Sequence, residues 1–299
     1  MITEEATRAV PVPAPPHPAA DRPRRRRPRA WDEAPRWQIY VPLSLYLLFT
    51  LVPFYWILLF ALRRPGSTSL VPWPVTFEHF EKVWNEREFG VYFQNSVLTG
   101  VATLLLTTLV ALAGGYALAR FEFRIKRGFM IALLCTQFVP GALLLVPLFQ
   151  IFAELRMINS LASVIIAETV FQLPLSMILI SGFIRNVPYS LEEAAWVDGC
   201  NRFTGFRIVV LPLLRPGLIA VGSFAFVHAW NHFLFALMFL SDQSKQTIPV
   251  GLNTLMSADS VDLGALAAGG IIAAVPVVIV FAFIQKWLIT GFSAGAVKG

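Results

Sequence analysis

Six apolar segments, each long enough to cross a bilayer, constrain this chain more than any other feature of its sequence. Cut at its charges, the chain leaves residues 37–62, 93–119, 128–153, 160–184, 216–240 and 264–285. A helix needs ~20 residues to cross ~30 Å of hydrocarbon. The period-two alternation of barrel strands is missing from these segments, so they are expected to be helices, which satisfy their own backbone groups in lipid. The predicted fold is an all-α polytopic membrane protein with six transmembrane helices. At 56% hydrophobic and 14% charged residues, the composition is far more apolar than that of an ordinary soluble domain.

Lysine and arginine set the orientation. With the N-terminus inside, the cytoplasmic pieces carry 18 of these residues and the opposite side 6, which places both termini in the cytoplasm of a multi-pass membrane protein. The outer loops are acidic instead: FEHFEKVWNEREFG holds four Glu, and SDQSKQTIPVGLNTLMSADSVDLG three Asp. They are long enough to meet a partner.

The net charge of +6 has its densest part in the tract DRPRRRRPRAWDEAPR, preceded by VPVPAPPHPAA. That composition cannot bury enough apolar surface to offset its ordering entropy, so residues 1–34 are expected to be a disordered basic tail that orients the first span or touches anionic lipid, not a nucleic-acid arm. A cleavable signal peptide fits poorly, because the first apolar run is too long for an h-region. The two cysteines, Cys135 and Cys200, give neither metal spacing nor a disulfide framework. The remaining divisions are residues 35–92, the first span and an outer loop; 93–290, a core of five spans; and 291–299, a C-terminal tail.

One polar stretch, residues 191–217 (LEEAAWVDGCNRFTGFRIVVLPLLRPG), lies between the fourth and fifth spans. Ser190 as N-cap with Glu193 at the third helical position reads as a capping box, and Gly199 as a helix stop. A second helical turn is expected from Asn201 toward Val210, with Pro212 and Pro216 marking re-entry into the membrane. Ala194 and Ala195 beside Glu192 and Glu193 make a small-faced helix with an acidic edge. An interfacial helix on anionic lipid carries a basic face instead, so a protein groove is the better partner.

The spacing of Glu193, Ala194, Ala195, Gly199, Val209, Leu211 and Pro212 resembles the EAA motif of the membrane subunits of bacterial ATP-binding-cassette importers. The segments FAFVHAWNHFLFAL and QKWLITGFSAGAVKG narrow the resemblance to the carbohydrate-importer permeases of the maltose-transporter type, over residues 37–299. The resemblance implies a type I importer permease fold with a cytoplasmic coupling helix between spans four and five. Residues 190–212 would then sit on a cytoplasmic ATPase, through Glu192, Glu193, Ala194, Ala195, Asp198, Gly199, Leu211 and Pro212, with Glu193 pairing with a basic residue there. The tail, through Ser293, Gly295, Lys298 and Gly299, would reach between the ATPase subunits. The implied partners are a second, homologous permease, two copies of the ATPase and an extracytoplasmic sugar-binding protein or lipoprotein. Mg-ATP binds on the ATPase; no cofactor is expected on this chain, and no enzymatic activity.

Polar residues inside spans are functional candidates because burying them in hydrocarbon is costly. Gln137, Glu168, Gln172, His228, Asn231 and His232 are the candidates for a substrate pathway. Glu168 and Gln172 share a helix face, as do His228 and His232; hydroxyls of a sugar could bond there while Trp230 or Phe233 stacks on its ring. The His pair lacks a third ligand, so a metal is not expected. In the resembling family the position of His232 is often acidic, a departure that leaves its role open. Pro140, Pro147, Pro174 and Pro276 invite kinks, and Gly114, Gly115, Gly269 and Gly270 close packing. A stand-alone secondary transporter or channel is the alternative; it calls for an internal repeat and a chain of titratable groups, and the sequence offers one clear acid. An intramembrane enzyme would need a nucleophile and base that the spans lack. No P-loop occurs.

Overall fold

A computed structural model describes residues 35–256 and 261–293, with side chains up to 285. The expected tail over residues 1–34, and Gly295, Lys298 and Gly299, lie outside the described residues; so does the side chain of Ser293. The chain divides into two compact units, Met1–Val52 and Pro53–Gly299, and everything below concerns the second unless stated.

The described residues are helical, with no strand among them. The helices are α1 (Arg36–Leu62), α2 (Glu78–Glu81), α3 (Phe89–Arg120), α4 (Lys126–Thr136), α5 (Leu145–Glu154), α6 (Leu161–Arg185) and α7 (Ser190–Val197). They continue with α8 (Arg202–Gly205), α9 (Leu211–Leu213), α10 (Arg215–Asn231), α11 (Leu234–Phe239), α12 (Ile248–Met256) and α13 (Leu263–Ser293). Four of them, α1, α3, α6 and α13, are long and apolar enough to cross a membrane. The count rises to six if each of two bent pairs is one span, α4 with α5 (93°) and residues 202–213 with α10 (74°).

The bends have local causes. Pro140 has no N–H to continue α4 and sits extended (φ −60°, ψ 127°), so the chain leaves the helix, makes a short 3₁₀ turn at Gly141–Leu144 and restarts as α5. Pro174 and Pro276, by contrast, stay inside continuous helices. The expected fifth span, residues 216–240, is itself divided: α10 stops at Asn231 because His232 is extended (φ −77°, ψ 120°), and α11 begins at Leu234. No proline marks that break.

The core is built on α3, α6 and α10. Ala111, Ile180, Ile184, Val210, Leu214 and Val221 pack where α3 and α6 meet the polar stretch. A second cluster joins Phe89, Tyr92, Phe226, Trp230 and Ile248 to Ala265 and Ala268 of α13. A third gathers Phe152, Ala167, Phe235 and Phe239 around α5, α6 and α11. Small residues let the backbones approach: a Cβ on Gly115 would lie 2.7 Å from Ile180 Cγ2 and 3.1 Å from the Ser181 backbone nitrogen. Gly269 is similarly tight against Leu252 and Phe89, whereas Gly270 has nothing within 4 Å and Gly114 meets only the flexible end of Met177. The expected packing role therefore holds for Gly115 and Gly269 but not for Gly270.

Candidate functional site

The polar stretch folds into compact helices braced from below. Helix α7 begins at Ser190 itself, so the expected capping box does not form: Ser190 is already helical and its side chain caps nothing. The Pro188 and Tyr189 carbonyls accept from the Leu191 and Glu192 amides instead, closing the first turn without a side chain. Gly199 stops the helix as expected, with φ of +91°, a conformation that only glycine adopts readily. Asn201 then caps α8, its Oδ1 accepting from the Thr204 amide at 2.8 Å. A wide helical turn over Phe206–Val210 and α9, with Leu211 and half-buried Pro212, completes the path to α10.

The two neighbouring glutamates have opposite surroundings. Glu192 is buried, at 1% exposure, and its Oε1 accepts from Arg120 Nε at 2.6 Å. Its Oε2 accepts from the Tyr116 hydroxyl at 2.8 Å. Arg120 Nη2 also donates to the Val187 carbonyl, and its guanidinium lies over the Tyr189 ring. The paired guanidinium and hydroxyl satisfy the buried carboxylate, so Glu192 fastens α7 to the end of α3. Glu193 and Ala194 face outward, as do Asp198 and Gly199, while Ala195 is buried. Val197 (88%), Phe203 (73%) and Ile208 (62%) of the same stretch are exposed as well.

A second cluster lies within the spans. Glu168 of α6 is completely buried, and both expected histidines converge on it. His228 Nδ1 is hydrogen-bonded to Oε2 at 3.0 Å, and His232 Nδ1 approaches Oε1 to 2.7 Å. The second approach misses hydrogen-bond alignment. The imidazoles stack on each other 5.3 Å apart, and His232 rests on Phe235. The break after Asn231 is what lets His232 turn back toward α6.

The other pathway candidates lie elsewhere. Gln172, one turn beyond Glu168, is half-buried. Gln137 Nε2 donates to the Phe171 carbonyl at 3.3 Å, tying the end of α4 to α6. Asn231 Nδ2 bonds its own helix at Val227 and lines a cavity of about 380 Å³ with Phe233, Leu252 and Asn253. Trp230 is not available to stack on a ligand: it is 2% exposed, lies against Phe226 and Phe93, and donates to the Ala273 carbonyl.

A third polar group was not foreseen. Lys82 Nζ bonds Asp262 Oδ2 at 2.8 Å, Ala265 N–H bonds Oδ1, and buried His79 stands 3.9 Å away. These join the turns after α2 to the start of α13 beside a cavity of about 740 Å³ lined also by Arg63, Arg64 and Glu81. Partial burial pushes the Asp262 carboxyl up, but the Lys82 and Ala265 hydrogen bonds and the Lys82 charge outweigh it and hold the group below its ordinary value. Sequence alone offers only the acidic loops as a signal here, since the partners are 180 residues apart.

Comparison with known proteins agrees with this architecture. Residues 107–293 match the family described as binding-protein-dependent transport system inner membrane component. The chain is 34% identical over 252 residues to the diacetylchitobiose uptake system permease protein DasC of Streptomyces coelicolor, covering 83% of this chain and 91% of that one. It is 31% identical to the trehalose transport system permease protein SugB of Mycobacterium tuberculosis, over 86% of this chain and 95% of the relative. A solved bacterial ABC transporter involved in import of the acidic polysaccharide alginate has the same fold, with a TM-score of 0.71 at 20% identity over 85% of this chain and 98% of its own. The chain therefore belongs to the family of binding-protein-dependent transport system inner membrane components, the membrane-embedded permease subunits of ABC importers.

Proposed function

We propose that the protein is one permease of an ATP-driven sugar importer, with six spans and both termini in the cytoplasm. It works beside a second permease, on two copies of a cytoplasmic ATPase, and receives its sugar from an extracytoplasmic binding protein. The observation that carries this reading is the outward face of α7: Glu193 and Ala194 are presented to a partner, while Glu192, the next residue, is buried against Arg120. A helix fastened to α3 on one side and free on the other can transmit a partner's motion into the spans. Glu193 supplies the charge for a basic groove on the ATPase, and Gly199 the turn that ends the docking helix. Inside the membrane, His228, His232 and Glu168 stand in the pathway, with Gln172, Gln137 and Asn231 along it. The relatives named for diacetylchitobiose and trehalose support a sugar as cargo.

The test is ATPase activity of the assembled complex in nanodiscs, with binding protein and a panel of sugars, for the native chain, Glu193→Ala and Gly199→Asp. Stimulation by one sugar, lost in both variants, is the expected result and names the cargo. Purification of this chain alone, with solute movement in liposomes and no ATPase, would overturn the reading in favour of a stand-alone transporter.

A further inference from the structure

We propose that Glu168, His228 and His232 form a proton-binding site inside the membrane, and that the bound proton latches the divided fifth span onto α6. A carboxylate at 0% exposure in a span must be compensated, and among the described residues the groups paired with its oxygens are two imidazole Nδ1 atoms. A neutral imidazole can donate from Nδ1 with its Nε2 left free, which is what His228 does across an aligned 3.0 Å bond. His232 is placed differently. Its Nδ1 is closer to the carboxylate, at 2.7 Å, yet out of line for a hydrogen bond, a contact that is favourable when the ring is an imidazolium.

Charge accounting gives the same assignment. With both rings neutral the cluster carries −1 in a low-dielectric interior; with one added proton it carries zero. The proton therefore resides on His232, the ring whose close contact with the carboxylate is out of line for a hydrogen bond. The side chains of His228 and His232 are 43% and 23% exposed, while the carboxylate between them is fully covered. Both Nδ1 atoms are occupied by Glu168, and among the described residues no group of three His, Cys, Asp or Glu side chains has metal-binding geometry.

Other titratable groups on the neighbouring elements are few. Helix α6 adds only Arg185, at its far end, and α10 only Arg215, at its start. From α3 come Tyr92, Tyr116 and Arg120, near its ends; from α5, Glu154; from α4, Lys126, Arg127 and exposed Cys135; α11 and α12 add none. Arg120 and Tyr116 are already bound to Glu192. The imidazole pair thus governs the charge at Glu168.

The mechanical consequence comes from the backbone. His232 is the extended residue between α10 and α11, so its grip on Glu168 fixes the angle between the two halves of the span. Losing the proton leaves an uncompensated carboxylate and loosens that joint, which frees the halves to rearrange. Transport should therefore accelerate as the site empties.

Two measurements on the assembled complex in nanodiscs test this. In the first, ATP-driven uptake is followed from pH 5.5 to 8.5 for the native chain, His232→Gln and Glu168→Gln. The native rate should rise about fivefold relative to either variant, a factor at the lower end of linked-site coupling, while the variants, in which no ring is held charged, keep a common flat ratio to each other. A native profile that parallels both variants overturns the latch. The second uses this chain labelled with ¹⁵N-histidine: one imidazolium signal should persist near neutral pH and vanish in His232→Gln. If His232 is neutral at pH 6, the site is not a proton site. The inference rests on the importer reading only for the direction of the rate effect. The nitrogen spectra report proton occupancy whether or not sugar stimulates the ATPase, so failure of one reading is separable from failure of the other.

Discussion

Glu192 and Glu193 show how much one peptide bond decides. Both look alike in sequence, at the edge of a small-faced helix, yet one is buried on an arginine and the other is free. Removing Glu192 leaves Arg120 charged, buried and without its carboxylate, a loss of about 3–5 kcal/mol for breaking one side of a buried pair. Glu192→Ala should therefore lower the melting temperature of the purified complex, and Arg120→Ala should do the same. The double variant should cost clearly less than the sum of the two, because neither charge is left alone. Arg120→Lys should not restore stability, since a single ammonium cannot reach both Glu192 and the Val187 carbonyl as Nε and Nη2 do. Glu193→Ala, in contrast, should leave the stability of the permease without its ATPase within about 0.5 kcal/mol of native, as exposed sites do. Equal destabilisation by both glutamate variants would contradict this assignment. The sequence placed both acids on one helix, but it could not tell which turned inward, because the partner lies 72 residues away at the end of another span.

At the scale of elements, apolar runs identified the long helices to within a few residues, since hydrocarbon thickness sets their length. Breaks were less legible. Pro140 announced its own, because a missing N–H acts locally, whereas the break at His232 has no proline to mark it. Close approaches were legible in part: Gly115 faces a helix and Gly270 faces nothing, a difference of rotation about the axis. Gly115→Val should separate α3 from α6, where the Ser181 backbone cannot give way as a side-chain tip can. A loss of more than about 1 kcal/mol, as for overpacked cores, should appear as a lower melting temperature, with Gly270→Val near native. The join between the turns after α2 and α13 has a pH dependence of definite sign. Asp262 is held below its ordinary value, so its contribution is present above about pH 3.9, the unfolded value, and fades as the pH falls through the lower, folded one. Since both side chains are about a third exposed, that contribution is small. Hydrogen exchange at the start of α13 should quicken in Asp262→Asn at neutral pH, and acidification should add little more in that variant.

Over the whole molecule, the distribution of charge is the basis of the proposed orientation. In the proposed orientation, which rests on the 18 to 6 division of Lys and Arg, the stretch around α7 lies on the same side as both termini. That orientation puts the loop carrying Lys82 and Asp262 on the other side, so the proposed docking face and the acidic loops would be offered to different compartments. Two cysteines make this testable with little engineering. Cys135 is exposed in α4 and is first replaced by Ser, leaving half-buried Cys200 in the turn after Gly199 as the only thiol. A second protein, with both native cysteines replaced, carries Thr68→Cys in the exposed segment after α1. A charged maleimide that cannot cross the bilayer should label Thr68→Cys in right-side-out membrane vesicles and Cys200 only in inverted ones. Thr68→Cys labels first because its position is open to solvent; Cys200 labels more slowly and should slow further when the ATPase is bound, since its turn adjoins the outward face of α7. Labelling of Cys200 from outside would invert the protein, and with it the assignment of α7 to an ATPase that resides in the cytoplasm.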